Sequence, residues 1–256
     1  MIDKSVFVWP KATKGAVSIT YDDALPCHFD LVGPAWEAHG LRATFYTNIM
    51  SLRNNPEAWR EMGTKGHELG NHSIFHPCRK NDSQRMQWLA DAYDLRTYTA
   101  QRWKDEMSAA SFALSLIDGK YERSFGNTCC NTEIGQGESS QSLEPLIEEL
   151  FVAGRGPLND QVVDVATVNY NALGHFSGDS KTFEALRQEI EAAVTAGGWL
   201  IYMIHGVGEG THGLFIDPDE HQKLVDYLGE QQDLIWSAPL ITVAQYLQSF
   251  DPDYEA

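Results

Sequence analysis

Short apolar segments alternate with helical patterns along most of the chain, and this alternation restricts the fold more than any other feature. The segments are rich in β-branched and aromatic residues. Seven of them are predicted as strands: residues 16–21, 43–47, 68–71, 123–126, 150–154, 199–204 and 234–237. Strands that alternate with helices are typical of α/β folds built on parallel strands. The predicted fold class is therefore α/β.

Helix boundaries are marked by proline, glycine and capping residues. Pro56 suits a first helical position, Asp217 suits an N-cap before Pro218, and the glycine pair at 197–198 suits the end of a helix that begins near Thr182. An apolar stripe with steps of three, four and seven predicts one further long helix: Met86, Leu89, Ala90, Tyr93, Ala100, Trp103 and Met107.

Length, charge and hydropathy restrict the class of protein. No linker, repeat or long charge block divides the 256 residues, so a single domain over residues 1–256 is expected. The 36 acidic against 19 basic residues give a formal charge of −17, which disfavours nucleic acid and anionic membranes as partners. The oligomeric state is left open.

The chain also lacks signals for membranes or export. The longest strongly apolar run, residues 199–204, is far shorter than the roughly 18 residues that cross a bilayer. The first residues have no apolar signal region, so a cytoplasmic location is expected, with a trimmed secreted form as the alternative. The four cysteines show no CxxC or zinc-ribbon spacing, and reduced thiols are expected.

Two adjacent carboxylates, Asp22 and Asp23, directly follow the first predicted strand. Catalytic groups of parallel α/β folds collect at the carboxyl ends of strands. An Asp-Asp pair alone is more often a turn or a helix cap, because aspartate accepts hydrogen bonds from nearby backbone amides. The pair becomes informative only beside a second motif.

That second motif is the pair His72 and His76, which follows another predicted strand. Histidines at positions i and i+4 lie one helical turn apart, near enough for both imidazoles to reach one ion. With Asp23 they make a two-histidine, one-carboxylate set that leaves positions open for water and substrate. The predicted cofactor is one divalent metal, with zinc favoured and cobalt, nickel or manganese as alternatives.

These motifs resemble those of the polysaccharide deacetylases, carbohydrate esterase family four, which share the NodB-homology domain. The resemblance rests on TYDD at 20–23, GHELGNHSIFHP at 66–77 and the strand WLIYMIHG at 199–206, and it extends from about residue 8 to residue 246. It implies a distorted, incomplete β/α barrel of seven strands, with its site at the carboxyl ends of the strands.

The resemblance also implies a reaction and a role for each residue. The reaction is hydrolysis of an N- or O-acetyl group on a carbohydrate, with release of acetate, so that the expected partner is an acetylated oligo- or polysaccharide. Asp23, His72 and His76 would hold the metal, and Asp22 would act as the base. His205, after the last strand of the motif, would protonate the leaving group.

The chain departs from the family pattern at the third motif. Gly126 stands where the family has an arginine that orients the base, and Cys129 stands where it has an aromatic residue. The backbone N–H of Cys129 is retained as a candidate oxyanion donor. Arg155 follows the next predicted strand and is the candidate substitute for the missing arginine, against the alternative of a solvated surface charge.

Further alternatives remain open from the sequence. No acidic partner for His205 is assigned, since Asp164 and Asn169 are only loosely placed. Cys27 and Cys78 follow the two motifs and thiolates bind zinc well, but the spacing fits the family without them. A hydrolase of a cyclic imide or ureide on the same scaffold, or a non-catalytic carbohydrate-binding module, are the rival functions.

Overall fold

The protein is a β/α barrel with helices around a closed sheet of parallel strands. The computed structural model describes residues 1–81, 86–251 and 254. The strands of these residues are β1 (Gly15–Asp22), β2 (Thr44–Thr47), β3 (Glu68–Asn71), β4 (Ser124–Gly126), β5 (Glu133–Ile134), β6 (Gln141–Ser142), β7 (Ala153–Leu158), β8 (Leu173–Ser177), β9 (Trp199–Ile204), β10 (Gly206–Val207), β11 (Phe215–Ile216) and β12 (Ile235–Ser237). The α-helices are α1 (Gly33–Ala38), α2 (Ile49–Leu52), α3 (Pro56–Thr64), α4 (Ala100–Asp118), α5 (Glu144–Leu150), α6 (Phe183–Thr195), α7 (Pro218–Glu230) and α8 (Leu240–Gln248).

Seven parallel strands close the barrel in the order β1-β2-β3-β4-β7-β8-β9, and β9 then pairs with β1. The β1–β9 register runs from Ala16 opposite Trp199 to Tyr21 opposite Ile204. Strand β12 adds to the start of β1, while β2 pairs with its end. The expected seven-stranded β/α barrel is therefore confirmed.

Strand β1 shows how the barrel separates an apolar exterior from a polar interior. All eight of its residues are buried. Val17, Ile19 and Tyr21 belong to the core cluster that the surrounding helices complete. Alternate side chains of a strand point to opposite faces, and Ser18 and Thr20 instead accept hydrogen bonds from Trp199 Nε1 and Arg155 Nη1 at 3.0 and 2.6 Å. This alternation directs Asp22 into the barrel at its carboxyl end.

In the main sheet the predicted strands differ from the observed ones in two places, apart from single residues at strand ends, and the two-residue strands β5, β6, β10 and β11 outside that sheet were not predicted. The expected strand at 150–154 begins only at Ala153, because helix α5 continues to Leu150. Strand β8 was not predicted. Its sequence LGHFS lacks β-branched residues and contains a glycine, so that it carries little of the usual strand signal.

The predicted helix starts near residues 56, 182 and 218 agree with the observed ones, but the prediction of a long helix from residue 86 is wrong. Asn55, Thr182 and Asp217 cap α3, α6 and α7 with their side chains. Residues 86–99 form turns and short 3-10 segments, and α4 begins only at Ala100 behind its N-cap Thr99. No helix in the described part of the chain is both long and apolar enough to cross a membrane.

Candidate active site

The polar side chains singled out in the sequence converge at the carboxyl end of the barrel. Asp22 ends β1, His72 follows β3, and His205 follows β9. Parallel strands present their carboxyl ends at the same rim, so residues far apart in sequence meet there. The structure brings six of the seven predicted site residues, all except Arg155, to the lining of one cleft: Asp22, Asp23, His72, His76, Cys129 and His205.

Arg155 lies behind this cleft, fully buried in the barrel, and pairs with Asp22. Its Nη1 donates to Asp22 Oδ1 at 2.8 Å and its Nη2 donates to Asp22 Oδ2 at 2.5 Å. Burial alone would raise the pKa of Asp22, but the charges of Arg155 and His72 and the hydrogen bonds from Arg155 outweigh it. The pKa of Asp22 therefore lies well below its ordinary value, and the carboxylate is ionised at neutral pH.

The ring of Tyr46 supports the guanidinium of Arg155 from strand β2. The Arg155 Cζ atom lies 4.8 Å from the centre of that ring. A Cβ atom on Gly126 would come within 2.7 Å of the Tyr46 ring. The glycine at the position of the family arginine thus leaves room for the aromatic platform beneath Arg155.

Asp23, His72 and His76 bring one oxygen and two nitrogens together. Asp23 Oδ1 lies 3.7 Å from His72 Nε2 and 3.2 Å from His76 Nε2, and the three ligand atoms lie within 4.8 Å of one another. His72 Nδ1 lies 2.7 Å from the carbonyl oxygen of Gly126, which leaves Nε2 directed at the set. Burial lowers the pKa of His72 to about 4, so its imidazole is neutral, as a metal ligand must be.

The two histidines converge through a loop and not through a helical turn, which corrects the sequence interpretation. Residues 72–77 carry no helix, and Ser73 and His76 have φ angles of 71° and 55°. Ser73 N–H donates to Asn71 Oδ1 and His76 N–H donates to Ser73 Oγ, both at 2.8 Å. These turn hydrogen bonds hold the ring centres 4.9 Å apart.

Left-handed backbone conformations recur around the cleft. Besides Ser73 and His76, Asp23, Cys129 and Cys130 have φ angles of 80°, 51° and 53°. Such angles are unfavourable for residues with a Cβ atom and persist where the surrounding structure determines them. Strain of this kind at five residues of one rim indicates a functional site.

His205 is held by Asp179, a residue that the sequence interpretation missed. Asp179 Oδ2 lies 2.7 Å from His205 Nδ1, and Asp179 Oδ1 accepts the His205 N–H at 2.9 Å. Burial alone would lower the pKa of His205, but the Asp179 hydrogen bond and the charge of Asp22 raise it above its ordinary value. Asp179 follows β8, and because this strand was not predicted, Asp179 was not recognised as a carboxylate at a strand end.

The two residues considered loosely for this role lie elsewhere. Asp164 forms an exposed ion pair with Lys4 at 2.7 Å, and Asn169 donates to Glu144 at 2.9 Å. Neither contributes to the lining of the cleft.

His212 is a second residue at the cleft that the sequence interpretation missed. Its ring stacks on His205 with centres 5.0 Å apart, and its Nε2 lies 3.7 Å from Asp23 Oδ2. It follows a loop rich in glycine, and no spacing motif connects it to the other histidines. Only the folded loop between β10 and β11 places it at the rim.

The expectation of four reduced thiols is wrong, because Cys78 and Cys129 form a disulfide across 51 residues of sequence. The loops after the neighbouring strands β3 and β4 bring their Cα atoms to 5.8 Å, a proximity that cysteine spacing does not reveal. Cys27 and Cys130 are free. Cys78 is therefore not available as a ligand in this state.

The cleft has a volume of about 780 Å³ and combines the polar groups with an apolar rim. Leu25, Leu158, Met203 and Leu214 contribute apolar lining. Trp88 is 60% exposed and lies with its ring centre 6.0 Å from that of His76, whereas Trp36 and Trp199 are buried. This size and composition suit an organic substrate with polar groups.

Known proteins resemble this chain in sequence over part of its length and in fold over most of it. Residues 10–126 match the family model described as polysaccharide deacetylase. A gellan lyase from a Bacillus species is 31% identical over 74 residues, which are 29% of this chain and 3% of the lyase. The chain therefore spans only a small part of the length of that relative.

Solved structures share the fold at low sequence identity. A candidate polysaccharide deacetylase from Mycobacterium smegmatis superposes with a TM-score of 0.62 at 15% identity, over 98% of this chain and 96% of that one. A peptidoglycan deacetylase from Bacillus subtilis gives 0.55 at 13% identity, over 92% of each chain. An acetyl xylan esterase from Clostridium thermocellum gives 0.53 at 16% identity, over 93% of this chain and 94% of that one. The sequence match to the polysaccharide deacetylase family thus covers residues 10–126, and the solved structures show that the fold of the whole chain is the one these deacetylases share.

Proposed function

We propose that this chain is a metal-dependent hydrolase that removes N- or O-acetyl groups from a carbohydrate and releases acetate. The observation that carries the proposal is the position of Asp22, held by Arg155 and adjacent to the set of Asp23, His72 and His76. The match of residues 10–126 to the polysaccharide deacetylase family model supports the same reaction class. The acetylated glycan is the partner that this reaction requires.

Asp23, His72 and His76 would hold the metal. They supply one carboxylate oxygen and two imidazole nitrogens, a donor set that zinc and similar divalent ions accept. The Gly126 carbonyl fixes the tautomer of His72 with Nε2 toward the set. The described residues therefore fit a divalent ion.

Asp22 would accept the proton of the attacking water. Because its pKa lies well below the ordinary value, it is ionised throughout the neutral range but is a weak base. A weak base can deprotonate the attacking water only if the pKa of that water is lowered. A bound divalent ion would lower this pKa and polarise the acetyl carbonyl. Arg155 fixes the direction of the carboxylate through its two parallel hydrogen bonds.

His205 would protonate the departing amine or alkoxide. Asp179 accepts from Nδ1, so the opposite nitrogen, Nε2, is the one that can deliver a proton to the substrate. The raised pKa keeps a larger fraction of His205 protonated near neutral pH. The N–H of Cys129, on the wall of the same cleft, would stabilise the oxyanion.

The test is acetate release from acetylated xylo- and chito-oligosaccharides, with a cyclic imide as the control substrate. We expect acetate from at least one glycan and no opening of the imide. Asp22→Asn should retain the metal and lose activity by at least ~100-fold, since an amide cannot accept the proton. Imide opening without acetate release would favour the rival hydrolase, and no turnover of either would favour a binding module.

The metal assignment has its own test. In His72→Ala/His76→Ala two of the three side-chain ligands are missing, so elemental analysis should find the metal largely lost, and acetate release should fall with occupancy. His39→Ala, which changes a histidine paired with Asp226 at 2.9 Å and absent from the cleft lining, is the matched control and should retain the metal. Unchanged metal content in the double variant would contradict the assignment.

A further inference from the structure

The Cys78–Cys129 disulfide lies directly beside the proposed metal ligands. Cys78 is fully buried two residues after His76, whereas Cys129 is exposed on the cleft wall. The bond joins the loop after β3 to the loop after β4. A thiol in solution can therefore approach the disulfide from the side of Cys129.

The imidazole of His76 stands between this disulfide and Asp23. Its Nε2 lies 3.2 Å from Asp23 Oδ1, and its Nδ1 lies 3.6 Å from Cys78 Sγ. The ligand atoms of His76, Cys78 and Cys129 lie within 4.8 Å of one another. Two sulfurs and one nitrogen at this spacing are a donor set for zinc-like ions, once the sulfurs are no longer bonded to each other.

We propose that His76, Cys78 and Cys129 form a second metal site, which becomes available when the disulfide is reduced. In that step a thiolate of an external dithiol attacks Cys129 Sγ, breaks the S–S bond and forms a mixed disulfide. The second thiol of the reductant then displaces Cys129, and the reductant leaves as its own disulfide. The two electrons and two protons remain on Cys78 and Cys129 as thiols, and metal binding releases both protons.

His76 cannot be a ligand in both metal sites at the same time. A neutral imidazole has one nitrogen with a free lone pair and one that carries a proton. When Nδ1 binds a metal beside Cys78, Nε2 carries the proton and cannot also serve the set with Asp23 and His72. Thiolates bind zinc strongly, so reduction would move the metal away from the base Asp22.

The experiment uses His72→Ala, in which the first site is incomplete, so that its result does not depend on the proposed deacetylase activity. The protein is reduced with a dithiol, freed of it by gel filtration without oxygen, and titrated with Co²⁺. We expect about one Co²⁺ per chain with thiolate-to-cobalt charge-transfer absorption in the reduced protein, and neither in the oxidised protein. The absence of that absorption after reduction would overturn the proposal.

Two further variants identify the sulfurs. His72→Ala/Cys129→Ser should lose the cobalt absorption, and His72→Ala/Cys130→Ser, which changes the neighbouring free cysteine, should retain it. Absorption that follows Cys130 and not Cys129 would overturn the assignment. Should the Cys129 variant not fold, reoxidation of the cobalt-loaded His72→Ala protein must release the ion, and retention of the ion would also overturn it.

Discussion

Arg155 has no exposed surface and directs two of its nitrogen atoms to the two oxygens of Asp22. A charge buried this deeply is retained only when it is paired, because the desolvation of either partner alone is unfavourable. The pairing orients Asp22 and keeps it ionised. In the proposed reaction Arg155 would therefore act through the pKa of Asp22.

Replacing Arg155 with methionine should raise the pKa of Asp22, because burial then acts without the opposing charge. In the proposed reaction Asp22 accepts a proton only when it is ionised, so acidification should abolish activity at a higher pH than in the unmodified chain. The acidic limb of the kcat/KM profile should therefore move to higher pH. Arg155→Lys keeps the charge without the planar fork and should move the limb less. Profiles on protein that circular dichroism shows to be folded would measure both, and an unmoved limb would contradict the role.

Asp179 should have the complementary effect on the basic limb. Asp179→Asn replaces the carboxylate that raises the pKa of His205 with a neutral amide, so the imidazolium loses its proton at a lower pH. Because the proposed reaction needs protonated His205 as the acid, activity on the alkaline side should fall at a lower pH, while the metal content stays unchanged.

The control for this prediction is Asp164→Asn, which changes an exposed aspartate that pairs with Lys4 outside the cleft. Its profile should match that of the unmodified chain. If Asp179→Asn lowered the rate equally at every pH, Asp179 would hold the position of His205 without setting its charge.

At the scale of the elements, the sequences of strands β1, β3 and β9 were sufficient to predict which polar residues lie at their carboxyl ends. Strand β1 is a buried run that ends at Asp22, and β3 and β9 are buried runs followed at once by His72 and His205. The rule that functional groups collect at the carboxyl ends of parallel strands was therefore sufficient to find these three residues. Arg155 was found in the same way, although its strand begins three residues later than expected.

What could not be predicted depended on tertiary context. Strand β8 has a weak strand pattern in its sequence, and its pairing with β7 and β9 on either side decides its conformation. Because this strand was not predicted, Asp179 behind it was missed as well. The stripe from Met86 to Met107 has helical spacing, but an N-cap at Thr99 interrupts it. The disulfide and His212 likewise depend on loops that meet only in the folded barrel.

The close contact between Gly126 in β4 and the Tyr46 ring from β2 gives a prediction at this scale. An alanine at Gly126 would place its Cβ 2.7 Å from the Tyr46 ring, so either the ring or β4 must shift. Since that ring lies under Arg155, Gly126→Ala should destabilise the fold by about 1–3 kcal/mol and lower acetate release without removing the metal. Denaturant unfolding and activity measurements would check both effects.

The matched control is Gly213→Ala for the stability measurement. No atom lies within 4 Å of a Cβ built on Gly213, and its φ angle is not in the left-handed region. Its free energy of unfolding should stay within about 0.5 kcal/mol of that of the unmodified chain. Equal destabilisation by the two alanines would mean that the contact with Tyr46 is not the cause.

The whole molecule carries a formal charge of −17, and this charge acts on any substrate that approaches the cleft. No lysine or arginine is among the described residues that line the cleft, and Arg155 behind it is fully buried and paired with Asp22. A glycan that carries carboxylates should therefore meet repulsion that a neutral glycan does not. Repulsion between exposed charges is screened over about 8 Å at physiological ionic strength.

We therefore expect a neutral acetylated xylo-oligosaccharide to react with a higher kcat/KM than the same oligosaccharide with one uronic acid, by about tenfold at low ionic strength. Added salt should narrow the difference, mainly by raising the value for the acidic substrate, because screening removes a repulsion that the neutral substrate never experiences. The neutral substrate measured at each salt concentration is the control for effects of salt on the enzyme itself. A ratio that does not change with salt would mean that contacts inside the cleft, and not the charge of the molecule, discriminate between the two substrates.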